Sequence, residues 1–208
     1  MVSIVALGSA AVAAVVLGDG PPEPPGPRVV QPGAPGQPGR TLSRDDLSSF
    51  APPSHTPADT RFMQRMIAHH EQALRMTALV PGRGASPDVT QLAGRIDVSQ
   101  RDEISLMRRW LAEHREPTTA PDHAGHEDMP GMLTPDQLGR LEATRGADFD
   151  RTFLQFMIQH HEGALTMVRE LYAAGGGLEP ASDRFAREVN ADQTIEIRRM
   201  RSMLAHRP

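Results

Sequence analysis

MIAHHEQALRM, residues 66–76, returns as MIQHHEGALTM at residues 157–167, with eight of the eleven positions identical. Four of the nine histidines in the chain lie in these two strings, as His69-His70 and His160-His161. A second echo follows each copy: Gln100-x-x-Glu103-Ile104-x-x-Met107 and Gln193-x-x-Glu196-Ile197-x-x-Met200. The chain is a duplication, and each half carries the same His, Met, Gln and Glu set in the same order. Apolar residues recur in these strings at three- and four-residue steps, the spacing of an amphipathic helix. A repeated pair of helices predicts two helical hairpins.

Placed on a wheel of about 100° per residue, the first string has one apolar arc. It holds Phe62, Met63, Met66, Ile67, Ala73, Leu74 and Met76, and both His69 and His70 fall inside it. Gln64, Arg65, Ala68, Gln72 and Arg75 lie opposite, with Glu71 at the border. The second copy repeats the arrangement with Phe153, Met157, His160, His161, Ala164 and Met167. Met66 and His70 are four apart, as are Met157 and His161, so each pair can share a contact. The partner helices place Gln100 and Glu103, then Gln193 and Glu196, in the middle of apolar faces that also carry Met107 and Met200. A carboxylate held in a core is costly unless it is paired or faces a cation. Recurring at matched levels, these residues form a constellation rather than scattered exceptions.

Helix signals set the organisation. Thr56-Pro57-Ala58-Asp59 opens the first helix, which the pattern carries to about Val80. Ser86-Pro87-Asp88 opens the second, which runs to about His114. The third starts near Asp148 and stops at Gly175-Gly176-Gly177, and Ser182-Asp183 opens the fourth. Thr134-Pro135-Asp136 predicts a short extra helix to about Ala143. Residues 115–147 are far longer than a normal bundle turn and can traverse the whole bundle. The expected fold is all-α, a ferritin-like four-helix bundle of two duplicated helical hairpins with a long crossover carrying a short helix.

Val2 to Gly18 is an uncharged, Ala/Val-rich run, so residues 1–18 read as a signal peptide or a membrane anchor. Residues 19–55 read as a flexible Pro/Gly-rich linker, since 19–40 carry eight of the 19 prolines and almost no large apolar side chain. Residues 56–208 read as the bundle. This order predicts an extracytoplasmic protein, secreted or anchored at the outer face of the cytoplasmic membrane, with residues 2–18 as its tether. A net charge of −4 gives no nucleic-acid footprint. The absence of cysteine excludes disulfides, thiolate metal sites and cysteine nucleophiles.

Three readings of the constellation follow. In one, His and Met, with Glu beside them, hold a metal ion between helices. Thioether sulfur selects copper(I), while zinc or iron, which stay open as alternatives, leave the matched methionines without a role. In another, the polar residues form a buried network that only orients helices in a structural or interaction domain. A ferritin-type di-iron enzyme is the least supported, because Glu-x-x-His spacing is missing from the motif helices. No catalytic residue is assigned. A second candidate metal site lies on the connection, where His123, His126, Met129 and Met132 fall within ten residues.

The string Met-Ile-x-His-His-x-x-Ala-Leu-x-Met, followed by Gln-x-x-Glu-Ile-x-x-Met-x-x-Trp-Leu, resembles the DUF305 family over about residues 57–207. That resemblance implies an exported, ferritin-like four-helix protein, in a family some of whose members, the CopM-type proteins, are linked to copper binding and resistance. It also implies a metal-ion partner and carries over to Met66, His69, His70, Met76, Glu103, Met107, Met157, His160, His161, Met167, Glu196 and Met200. The Met129-Pro130-Gly131-Met132 segment is likewise similar to one the family often has before its second motif. Met203 stands where the first half has Trp110, a departure from the repeat.

Overall fold

The computed structural model describes residues 29–31, 38–48, 53–83, 86–119 and 129–206. The leader expected at residues 1–18 lies outside them. The chain divides at Ala51 and Pro52 into two compact units. The first holds a small antiparallel pairing of β1 (Val30–Gln31) and β2 (Arg40–Thr41), then α1 (Arg44–Ser48). Ser43 and Asp46 cap α1 reciprocally, the Asp46 carboxylate accepting from the Ser43 amide at 2.8 Å. These elements lie within the stretch expected to be a linker. Val29 and Val30 are exposed.

The second unit consists of α2 (Pro57–Thr77), α3 (Pro87–Glu113), α4 (Pro135–Ala143), α5 (Gly146–Ala173) and α6 (Pro180–Ala205). Proline occupies the first turn of α2, α3, α4 and α6, where its missing N–H costs no helical bond. Thr56 with Asp59 and Thr134 with Gln137 form the capping boxes of α2 and α4. Two boundaries differ from expectation. Helix α2 stops at Thr77, and Leu79 and Val80 continue in tighter turns bonded three residues back. Helix α6 is opened by Glu179 rather than Ser182, because the Glu179 carboxylate accepts from the Ala181 and Ser182 amides at 3.0 and 2.7 Å.

The buried apolar residues fall into two clusters, and each of the four long helices passes from one to the other near its middle. Helix α2 goes from Met66 and Ile67 in the first cluster to Ala73 and Met76 in the second. Helix α3 runs the opposite way, from Ile96 in the second cluster to Ile104 and Met107 in the first. Helix α5 passes from Met157 to Ala164, second to first, and α6 from Val189 to Ile197, first to second. The order is therefore up, down, down, up. The connection from α3 to α5 must climb the length of the bundle, the single-crossover topology of ferritin-like folds.

That connection explains the polar residues that the wheel alone misplaces. Gln64 and Gln72, expected on the outer face of α2, are 6% and 2% exposed. Gln64 Nε2 donates to the Pro117 carbonyl at 2.7 Å. Gln72 brackets Leu133, donating to its carbonyl at 2.9 Å and accepting from its amide at 2.7 Å. Further along, the Gly146 amide reaches the Arg83 carbonyl at 2.7 Å. The described parts of the crossover thus lie beside α2 and the turn after it, at Pro117, Leu133 and Gly146, and at Leu133 Gln72 satisfies a buried backbone. The helix starts are clamped across hairpins. Asp59 of α2 accepts from Ser182 Oγ at 2.6 Å, and Asp150 of α5 accepts from the Ser86 amide at 3.0 Å.

Candidate metal centre

On every long helix the switch between apolar clusters falls at the repeated polar residues. His69-His70 lie between Ile67 and Ala73, and His160-His161 between Met157 and Ala164. Gln100 and Glu103 precede Ile104, while Gln193 and Glu196 precede Ile197. A polar layer therefore divides the core in mid-bundle. All four imidazoles are fully buried, and Gln100 and Gln193 are nearly so. The rings of His69 and His160 meet at 3.8 Å between centroids, tilted by 35°, joining the two hairpins at the centre.

Glu103 and Glu196 were expected inside the core. Their side chains are instead 16% and 19% exposed, at the edge of the layer. Glu103 Oε2 accepts from His70 Nε2 at 2.5 Å, and Glu196 Oε2 accepts from His161 Nε2 at 2.7 Å. An edge position lets each carboxylate bond an inner imidazole while retaining hydration, which relieves most of the desolvation cost. Burial pushes the Glu103 carboxyl upward, but the hydrogen bond and charge of His70 outweigh it and hold the group below its ordinary value. Outside these carboxylates lie two clefts of about 380 and 610 Å3 between α3 and α6. Asp192 lines both, with Asp102 and Glu188 in the smaller.

The inner pair is bonded to backbone. His69 Nε2 donates to the Pro130 carbonyl at 3.1 Å, and His160 Nε2 donates to the His69 carbonyl at 2.9 Å. Burial, with neighbouring imidazole charge, lowers His69 to about 3 and takes His160 well below its ordinary value. Both rings are therefore neutral at pH 7.

The protonation pattern follows from the partners. Carboxylate and carbonyl oxygens only accept, so Nε2 carries the hydrogen in each of the four rings. In a neutral ring Nδ1 then holds a bare lone pair, and none of the four Nδ1 atoms has a hydrogen-bond partner among the described residues. Gln100 Nε2 and Oε1 and Gln193 Oε1 are also unpaired and buried. A buried polar atom without a partner costs about 1–3 kcal/mol, so seven in one layer demand an explanation. Metal-binding imidazoles have this arrangement, one nitrogen donating to a carboxylate or carbonyl and the other free for the ion.

The six methionines of the expected site lie on either side of the layer. Met66, Met107 and Met167 belong to one cluster, and Met76, Met157 and Met200 to the other. Each trio is the other with the halves exchanged, so the duplication survives as a two-fold relation about the histidine layer. Imidazole nitrogen and thioether sulfur are donor types that suit a soft ion. Among the described residues, no three His, Asp or Glu side chains converge as a metal site.

The second candidate site is placed only in part. His123 and His126 lie outside the described residues. Met129 is buried in the cluster of Met66, and Met132 packs against it partly buried. Sequence reasoning missed what Pro130-Gly131 does. Gly131, at φ 77°, lies on α5 at Gly163, where an added Cβ would stand 2.0 Å from the Pro130 carbonyl oxygen. The signal was the departure between the copies, Gln72 against Gly163.

The model of the DUF305 family, a domain of unknown function, matches residues 59–204, and the chain belongs to that family. A DUF305 fragment from Deinococcus radiodurans is 32% identical with a TM-score of 0.67, over 74% of this chain and 100% of that one. A protein from Streptomyces coelicolor, named as a secreted DUF305 protein, is 30% identical with a TM-score of 0.65, over 71% of this chain and 92% of that one. CopM in its Cu(II)-bound form is 27% identical with a TM-score of 0.59, over 71% of this chain and 95% of that one. An uncharacterized protein of Acanthamoeba polyphaga mimivirus is 35% identical over 57 residues, a stretch spanning 38% of that relative.

Proposed function

We propose that this protein is an exported copper-binding protein that takes the ion as cargo, to buffer it or hand it on. One observation carries the reading: four buried imidazoles each give Nε2–H to an oxygen and leave Nδ1 unpaired, in a layer flanked by two trios of methionines. The ligands would come from Nδ1 of His69, His70, His160 and His161 and from the sulfurs of Met66, Met107, Met167, Met76, Met157 and Met200. Glu103 and Glu196 hold the outer imidazoles from behind, fixing which nitrogen is free. Sulfur donors favour copper(I) over zinc and iron. Likeness to CopM, named in copper-bound forms, supports the metal, and likeness to the secreted Streptomyces coelicolor protein supports export. His123, His126, Met129 and Met132 are proposed as auxiliary ligands on the crossover.

Titration of the full chain with Cu(I) against a chromophoric chelator tests this. The His69→Ala/His160→Ala pair should weaken binding at least about 10–100-fold, the range seen when metal-ligand shells are disturbed. Met66→Leu/Met157→Leu should weaken Cu(I) and leave Zn(II) unchanged. A histidine double variant that binds Cu(I) like the parent sinks the site. The His–Glu hydrogen bonds support a second reading, a network that only orients helices. It stands if the parent binds no copper and the double variant loses thermal stability alone.

A further inference from the structure

We propose that His55 and His114 form a separate, solvent-facing site for a borderline divalent cation of the class that favours imidazole nitrogen. Neither residue belongs to the mid-bundle layer. His55 lies just ahead of α2 and His114 is the C-cap of α3, yet their rings stand 4.5 Å apart between centroids, at 68°. Each donates one ring N–H to an oxygen. His114 Nδ1 donates to the Trp110 carbonyl at 2.8 Å, and His55 Nε2 donates to Glu116 Oε1 at 3.1 Å. The nitrogens left over, Nε2 of His114 and Nδ1 of His55, have no hydrogen-bond partner among the described residues. This is the donor pattern of the mid-bundle imidazoles, now at a surface: His55 is 25% exposed.

The surroundings hold both rings in place. Trp110 stacks on His114 at 4.2 Å and meets His55 edge-on at 5.4 Å. Its own N–H is tied to Glu179 Oε2 at 3.0 Å. Arg115 is the one non-glycine residue with positive φ among the described residues, at 59°, and it folds the chain back so that the Glu116 amide bonds the Leu111 carbonyl at 2.8 Å. That left-handed residue, the ordinary end of a helix-closing turn, sets Glu116 beside His55. Glu116 and Glu179 put negative charge on both sides of the pair. Two imidazoles with water completing the shell suit copper(II), zinc(II) or nickel(II); no sulfur is supplied for copper(I).

Trp110 is the sole tryptophan and touches both rings, so it reports the site directly. Cu(II) titrated into the full chain should quench Trp110 emission saturably. His55→Ala and His114→Ala should each weaken that quenching at least tenfold, while His69→Ala/His160→Ala keeps it. Thermal melts establish that each variant is folded, and Zn(II) competition provides a second readout, reversing the quench in the parent. Quenching unchanged in both His55→Ala and His114→Ala overturns the proposal, as does quenching lost only in the mid-bundle variant. Because the two sites are read by different variants, failure of the mid-bundle copper reading leaves this one separately decided.

Discussion

The two hairpins carry the same buried chemistry and differ where the crossover lies. Each has its His–Glu bond, at 2.5 Å in one and 2.7 Å in the other. Each has an outer ion pair at the same register, Arg108 with Glu71 and Arg201 with Glu162. Of the three positions at which the motif copies differ, two touch the crossover. Gln72 grips Leu133 where the other copy has Gly163, and Gln159 replaces Ala68 and donates toward the Gly131 carbonyl at 3.4 Å. The inner histidines diverge for the same reason, His69 bonding Pro130 of the crossover and His160 bonding the opposite helix. The shared residues hold the layer, and the divergent ones hold the chain that passes over it.

The comparison breaks most sharply at Gly163. Gly163→Ala places a Cβ against the Pro130 backbone and should cost about 3 kcal/mol, the upper end for overpacking, measured by urea unfolding. The equivalent Gln72→Gly creates no clash. Gln72→Ala should cost about 2 kcal/mol by leaving the Leu133 amide and carbonyl unpaired. A stability for Gly163→Ala equal to that of the parent would mean that the crossover does not rest on α5 as described.

The inner histidines, His69 and His160, give a pH signature. Their folded values lie below the unfolded value near 6.5, so between those limits the unfolded state binds more protons. Stability is therefore full above about pH 6.5 and lost as pH falls from there toward the folded value, by about 1.4 kcal/mol per pH unit for each ring. Denaturation from pH 7.5 to 5 should show that slope, with His69→Gln and His160→Gln each removing one ring's share. A slope lost in only one of them would break the two-fold relation.

Smaller effects separate the helix ends. Helices α3 and α5 close with the same turn, but Arg115 occupies the left-handed position in one and Gly175 in the other. Arg115→Gly should stabilise by about 0.5–1 kcal/mol, and Gly175→Ala should destabilise by about 1 kcal/mol. Smallest of all, Glu71→Gln and Glu162→Gln should each cost at most about 0.5 kcal/mol, equally, because both ion pairs are half-exposed.

Much of this was legible before the fold was known. The capping residues at Thr56, Ser86 and Thr134 placed three helix starts, because caps act on amides only two or three residues away. The wheel placed all four motif histidines inward, and they are buried. It failed at Gln64 and Gln72, since helical periodicity marks one buried face and carries no information about a chain laid over the other. It set Glu103 and Glu196 too deep, because a residue's angle on a helix does not fix how far the neighbouring helix stands from it.

By itself, the sequence determined the duplication, the four long helices, and the inward His, Met and Gln of each half, all properties of spacing within one helix. Tertiary structure alone decided which imidazole nitrogen is free, because that depends on oxygen acceptors 33 to 91 residues away. It also decided that the crossover lies on Gly163, and that His55 meets His114. Local periodicity is blind to such pairings; they exist only once the helices have packed.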